Sequence, residues 1–403
     1  MNIFVKKIKS LSKRYLNYHI KKIEHFNDLN IDEIVYIQKM NNRIPYIDFA
    51  AGIMILWMII YHALGQVWQY ELMPYWGITD LSLIPETIRT KVLITPEGEF
   101  SCLNPCILFP YLHFFMPWFF YKSGQFFKKQ SFNELIKKDY KKLLKTFIFW
   151  SLIGYICFLV FGLITESISL RSASYSVVRM LFLWGCVPLN YSLWFLLTLF
   201  FVRTIANLLL PLLSDQKSYI RISIICLGGY LLTLFLFQYN HRLIPLWVVN
   251  TISGLVFFTL GYAISKYERR WFLILISFIL YISCLFVGFP MVDMKYNIQL
   301  SGSYWLWMPI SLCCIIAFNA FCRFISRYII MLSKPIEILG CYAMPIYVTH
   351  RIVMAFVYFF IVEYFKIPIS SNVLLLLILV AFGIFIPLLC LFMKTKWYKK
   401  IVC

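Results

Sequence analysis

A chain of 403 residues would ordinarily divide into two or three soluble domains, but 61% hydrophobic residues, 14% charged residues and a mean hydropathy of +0.75 exclude that arrangement. The net charge of +20 invites a nucleic-acid partner. The basic residues, however, fall in short clusters between apolar runs rather than in one patch, so the charge reports membrane topology and no nucleic acid is expected.

The first 43 residues hold nine Lys or Arg and no apolar run, unlike a cleaved signal peptide, so the first apolar segment is read as a retained anchor. Runs of about 20 apolar residues then predict spans near 47–67, 107–127, 143–164, 191–212, 219–238, 247–265, 271–289, 305–322, 337–361 and 372–393. The connections alternate in charge. Residues 128–145 carry seven basic residues, and Lys217/Arg221, Lys266/Arg269/Arg270, Arg323/Arg327/Lys334 and Lys394/Lys396/Lys399/Lys400 follow at every second connection. With the amino-terminal segment, 28 Lys or Arg lie on one side and 7 on the other, leaving Lys122, Arg203 and Arg351 inside spans. The positive-inside rule places the rich side, and both termini, in the cytoplasm.

The fold class expected is therefore an all-α integral membrane protein, a bundle of about ten transmembrane helices in the cytoplasmic membrane. It comprises a basic cytoplasmic segment (1–43), a transmembrane domain (44–394) and a short basic tail (395–403). The long connection 68–106 is relatively acidic and rich in Pro and Trp, and is expected to pack over the outer mouth. No internal repeat is evident, which weighs against a carrier built from two related halves.

Most of the twelve cysteines, including Cys157, Cys226, Cys284, Cys313, Cys314 and Cys390, lie in apolar runs, where a thiol behaves as a small hydrophobe. Cys102 and Cys106 share one outer connection and are either a bridge or two thiols. No spacing suits a metal, and there is no Walker loop, GxSxG elbow or HExxH.

An ionisable side chain inside lipid is costly, so each one is a candidate functional residue. On the first span Asp48, His62 and Gln66 fall within about 40° of one helical face. A rise of about 1.5 Å per residue separates Asp48 from His62 by roughly 21 Å, with Asp48 near the inner end and His62 toward the outer side. His62 is either a packed ring bonded to a carbonyl or a working group. In the second span His113 and Lys122 sit about 180° apart on a straight helix, so they share a site only if Pro117 kinks it. Lys122 is close enough to the inner surface to snorkel. Arg203, about two turns from the inner end of the fourth span, needs an anionic or carbonyl partner, from protein or from a ligand phosphate. His350 and Arg351 lie near the middle of the ninth span, with Tyr347 one turn before Arg351 and able to bond across helices.

The Asp48-to-His62 opening, FFMPWFFYKSGQFF in the second span, the basic connection after it, LWFLLTLFFVR in the fourth, FFTLGYAISK in the sixth and LGCYAMPIYVTH in the ninth together resemble the membrane-bound acyltransferase 3 family, including the subgroup that modifies or helps export surface polysaccharides. The matching pieces appear in family order and cover most of residues 43–361. The resemblance implies a bundle of about ten helices that moves an acyl group, usually acetyl from acetyl-coenzyme A, onto a hydroxyl of a sugar or lipid-linked glycan. It carries over His62 as the essential catalytic group. A neutral imidazole suits this role, because it accepts the proton of a poorly nucleophilic hydroxyl as that hydroxyl attacks a thioester. There are two departures. Ala51 stands where the family usually has a basic residue 11 positions before this histidine, and Phe115 stands where a second-span histidine normally precedes Met-Pro, with His113 two residues upstream.

The expected roles follow: His62 as base, Asp48 positioning the first helix or the donor end, Arg203 contacting donor phosphate, and Trp194, His113 and His350 lining the acceptor path, with Lys122 and Tyr347 as further contacts. The expected partners are acyl-coenzyme A as co-substrate, with no permanently bound cofactor, a glycan or lipid-linked glycan acceptor, membrane lipids and the polysaccharide-synthesis machinery. Only a ten-residue basic tail follows the tenth predicted span, so the soluble esterase-like domain fused to some members of the family is not expected here. The competing reading is a transporter or flippase for a glycan or lipid, and a third is a subunit of a polysaccharide export complex.

Overall fold

No water reaches the bilayer core, so each backbone N–H and C=O must be satisfied within its own segment, and apolar runs of this length fold as helices. A computed structural model describes residues 43–72, 93–94, 100–101, 112–164, 170–209, 218–239, 244–294, 298–365 and 372–392. Cys102, Cys106, most of the 68–106 connection, Lys217, the first 42 residues and the tail lie outside the described residues, and so does the side chain of Gln66. All contacts below fall within the unit Tyr46–Cys403.

In chain order the helices are α1 (Pro45–Leu72), α2 (Phe115–Gln125), α3 (Phe132–Asp139), α4 (Lys145–Ile164), α5 (Leu170–Trp184), α6 (Trp194–Leu209), α7 (Ser218–Tyr239), α8 (Leu246–Ile264), α9 (Trp271–Val287), α10 (Tyr304–Tyr328), α11 (Ile330–Cys341), α12 (Ala343–Tyr358) and α13 (Asn372–Phe392). A π-turn, Tyr140–Leu144, joins α3 to α4, and another, Phe359–Tyr364, follows α12. Two small antiparallel hairpins, Leu93–Ile94 with Phe100–Ser101 and Met291–Asp293 with Ile298–Ser301, lie in connections. Among the described residues, six stretches are long and apolar enough to cross a membrane: Pro45–Leu64, Phe132–Val160, Tyr191–Leu209, Leu246–Ile264, Tyr304–Tyr328 and Ala343–Ile361. Ile220–Leu236, Trp271–Val287 and Leu374–Cys390 are shorter apolar helices. The outward faces are apolar as lipid requires, with Leu227 and Phe235 on α7, Ile279 and Phe286 on α9, and Phe385 on α13 all exposed.

Three segments differ from the sequence expectation. The second span begins as a turn at residues 112–114, so His113 precedes the helix and the straight-helix geometry assumed for His113 and Lys122 does not apply. Pro117 is in the first turn of α2, where a missing N–H costs nothing, and so introduces no kink. The ninth span is broken at Tyr342 into α11 and α12, and Pro345 again occupies the first turn of the restarting helix. Finally, α5 was not anticipated. Arg171 and Arg179 dilute its hydropathy, yet Val177, Met180 and Trp184 are buried while Tyr175, Val178 and Phe182 are exposed, the spacing of an amphipathic helix.

Lipid offers helices no hydrophobic reward for associating, so close packing relies on small residues that let backbones meet. A Cβ at Gly124 would lie 1.9 Å from the carbonyl oxygen of Phe258, and one at Gly261 would lie 2.0 Å from that of Tyr121, so α2 and α8 touch backbone to backbone at two levels. The helix α8 also packs on α6 and α7 and is the centre of the bundle. A second crossing seats Gly340 against the carbonyl of Asp48 and Gly52 against that of Ile336, locking α1 to α11. The core is filled by large, fully buried side chains, among them Met54, Ile55, Met58, Ile59, Trp118, Phe120, Phe257, Phe258 and Trp307.

Candidate active site

The amphipathic α5 ends at Gly185, whose φ of +65° turns the chain, and Leu189 takes a left-handed φ of +60° before the turn Tyr191–Leu193 starts α6. A non-glycine residue in that region is uncommon and has to be held in place by its surroundings. Here the holding is polar and buried. Asn190 donates from Nδ2 to the carbonyl of Val348 on α12 at 3.0 Å and accepts from Ser192 Oγ at 3.1 Å. The Tyr347 hydroxyl donates to the carbonyl of Ser192, and the Phe195 ring meets Tyr347 edge-on. Trp194, at the first position of α6, is buried beside this seam. One loop is thereby fixed against one turn of α12.

On the same turn lies His350, fully buried at 0% exposure. Its Nδ1 is 2.8 Å from the carbonyl of Tyr347 and 3.1 Å from that of Ile346, and its Nε2 is 2.8 Å from Nδ1 of His62 on α1. The two rings lie within 15° of parallel, with centroids 5.0 Å apart. His62 itself is half-buried and sits against Tyr61. The guanidinium of Arg351 is 5.3 Å from the ring of Tyr191 in the same loop. The structure thus brings together four sequence candidates, His62, His350, Tyr347 and Trp194, around α1, α12 and the start of α6.

The other candidates sit elsewhere. His113 is buried with Nε2 3.5 Å from Ser311 Oγ on α10 and its ring against Phe289 and Phe114. Lys122 lies 4.9 Å above the Trp118 ring. Asp48 is in the first turn of α1, where a carboxylate favours the helix dipole, and its backbone lies at the Gly340 crossing. Of the partners left open for Arg203, anionic or carbonyl, protein or ligand, the structure shows a protein carboxylate: Nε donates to Asp139 Oδ2 at 2.7 Å, NH1 reaches Ser123 Oγ at 3.4 Å, and the guanidinium lies over Phe127. One turn on, Asn207 exchanges hydrogen bonds with the backbone of Gln130, so α6 clasps the basic connection twice.

A second network was missed by the sequence reading. Glu268, 1% exposed in the turn after α8, accepts from Arg323 at 2.5 Å, from the Tyr121 hydroxyl at 3.1 Å and from Asn319 Nδ2 at 3.3 Å. Asn319 in turn accepts from Trp118 Nε1 at 2.9 Å. The available signal was a carboxylate set in a basic connection, as in KYERR around Glu268 and KKDYKK around Asp139. Such a residue faces a choice between neutralising neighbours in water and pairing inward. Among the described residues, no cluster of three or more His, Cys, Asp or Glu is placed to hold a metal.

Fold and site together define the class: a helical, multi-pass membrane domain with a pair of imidazoles joining two of its apolar helices, α1 and α12. The family model of an acyltransferase domain, the acyltransferase 3 model, matches residues 44–392, so the chain belongs to that family and is a membrane acyltransferase. No curated protein and no solved structure matches it.

Proposed function

We propose that the protein transfers an acyl group, acetyl in the first instance, from acyl-coenzyme A to a hydroxyl of an envelope polysaccharide or its lipid-linked precursor. The observation that carries this reading is the His62–His350 pair, which puts a half-buried imidazole next to a fully buried one inside an acyltransferase domain. His62 takes the proton of the acceptor hydroxyl as the oxygen attacks the thioester carbonyl. The C–O bond forms, the C–S bond breaks, and the proton passes from His62 to the departing thiolate. Asp48 positions the first helix, Trp194, Tyr347 and His113 border the acceptor side, His350 stands behind His62, and Lys122 and Arg203 stand near the basic connections, where donor phosphates arrive. Ten spans in the cytoplasmic membrane, with both termini inside, place the charged end of the donor where it is made. They also require its pantetheine arm to thread between helices.

The test is the mass of envelope glycans from cells carrying wild type, His62→Ala or no protein, measured before and after mild alkali. An alkali-labile acyl increment found only with wild type supports the reading and identifies the acyl group. Equal masses in all three, with the protein present in the membrane, overturn it in favour of transport.

A further inference from the structure

The hydrogen-bond directions at the histidine pair follow from what each partner is able to do. The carbonyls of Tyr347 and Ile346 only accept, so the proton on His350 resides at Nδ1. In a neutral ring the other nitrogen, Nε2, then carries the lone pair and accepts. Its partner 2.8 Å away is Nδ1 of His62, which must therefore donate. That in turn leaves the lone pair of His62 on Nε2. The chain of inference uses only backbone carbonyls, two rings and the rule that a neutral imidazole has one donor and one acceptor.

We propose that His350 is a positioning residue that fixes His62 in its Nδ1–H tautomer, so that Nε2 is the atom that takes the acceptor's proton. The assignment rests on the reading of His62 as the base. His350 takes the place that a carboxylate occupies in a hydrolase triad, orienting the ring and keeping one nitrogen protonated, but it does so without bringing a net charge into the membrane. When Nε2 of His62 gains the hydroxyl proton, Nδ1–H still points at the lone pair of His350, which stabilises the imidazolium until the thiolate is protonated. The turn that holds His350 is fastened by Asn190 to Val348 and by Tyr347 to Ser192, so the loop Gly185–Leu193 sets the ring's height on α12. The arrangement also gives His350 a reason for being fully buried, which a residue that touches the acceptor would not have.

The test has two arms, both on the full chain in bilayers. The first is 15N solid-state NMR of histidine-labelled protein, with His62 among the six histidines assigned by difference from His62→Phe. The expected result is a bare Nε2 and a protonated Nδ1 on His62, and a protonated Nε2 overturns the proposal. The second arm compares acyl transfer by His350→Ala and His350→Gln. Gln keeps an acceptor near the position of the ring's Nε2, whereas Ala removes it. The expected result is a loss of about 100-fold or more in kcat for His350→Ala. KM for acyl-coenzyme A stays within about two-fold of wild type, and His350→Gln recovers at least about ten-fold. Equal kcat for wild type and His350→Ala overturns the proposal. If His350→Ala does not accumulate in the membrane, the wild-type tautomer still decides. A bare Nε2 in a wild-type protein that transfers no acyl group keeps the tautomer assignment and sinks the transferase reading instead.

Discussion

At the end of the bundle that carries the basic connections, Glu268 and Asp139 each hold an arginine in a buried ion pair, whereas around His62 the hydrogen-bonded polar atoms are two rings, a tyrosine, an asparagine and backbone carbonyls, and the nearby Arg351 lies against the Tyr191 ring. The difference follows the cost of charge with depth. A carboxylate and a guanidinium pair close to the connections, where water is near and the desolvation penalty is smaller. Within the apolar core, hydrogen bonds between uncharged groups position His62 and His350, and the charge beside them, Arg351, lies against the Tyr191 ring.

This contrast can be broken by substitution. The largest effect is expected from His62→Ala, which should lower acyl transfer by about 100- to 10,000-fold while shifting the thermal unfolding of detergent-purified protein little, because a half-buried ring is removed and no charge is orphaned. Glu268→Ala should do the reverse. It strands Arg323, Tyr121 and Asn319 together, and about 3–5 kcal/mol of stability should be lost, read as membrane yield and unfolding midpoint. Adding Arg323→Met should restore part of that loss, and a double variant as unstable as the single would show that Glu268 acts through something other than the pair. Asp139→Asn keeps an oxygen facing Arg203, so about 1–3 kcal/mol is expected. The smallest effect is reserved for Lys334→Ala. Its amine is 2.9 Å from Glu337 but 56% exposed, and less than about 0.5 kcal/mol should follow. A cost comparable to that of Asp139→Asn would show that depth is not what separates strong pairs from weak ones in this bundle.

Much of the fold was legible because lipid makes one rule dominant. The runs 219–238, 247–265 and 372–393 became Ser218–Tyr239, Leu246–Ile264 and Asn372–Phe392 without further information. Hydropathy fails where a helix is amphipathic, as in α5 with its two arginines, or where a proline restarts one, as at Pro345. The site was legible only in its parts. His62 and His350 both stood out as ionisable residues in spans, but periodicity assigns a face within one helix and says nothing about which face of which other helix it meets. The pair is separated by 288 residues, and its formation depends on the Gly52 and Gly340 crossing and on the loop around Asn190. Arg203 shows the same gap in another form. Its need for an anionic or carbonyl partner was readable from position alone, while the identity of that partner, Asp139, depended on how a basic connection folds back.

The backbone contact between α2 and α8 carries a mechanical consequence. Where Gly124 and Gly261 bring carbonyl and α-carbon face to face, no side chains lie between to compress or slide, so the two helices move as one stiff plate. That plate carries Tyr121 and the turn bearing Glu268. Entry for the long, flexible donor proposed above is therefore expected by parting a softer seam, one lined by side chains able to change rotamer. A cross-link between α2 and α8 should leave turnover intact where a cross-link across the entry seam would stop it.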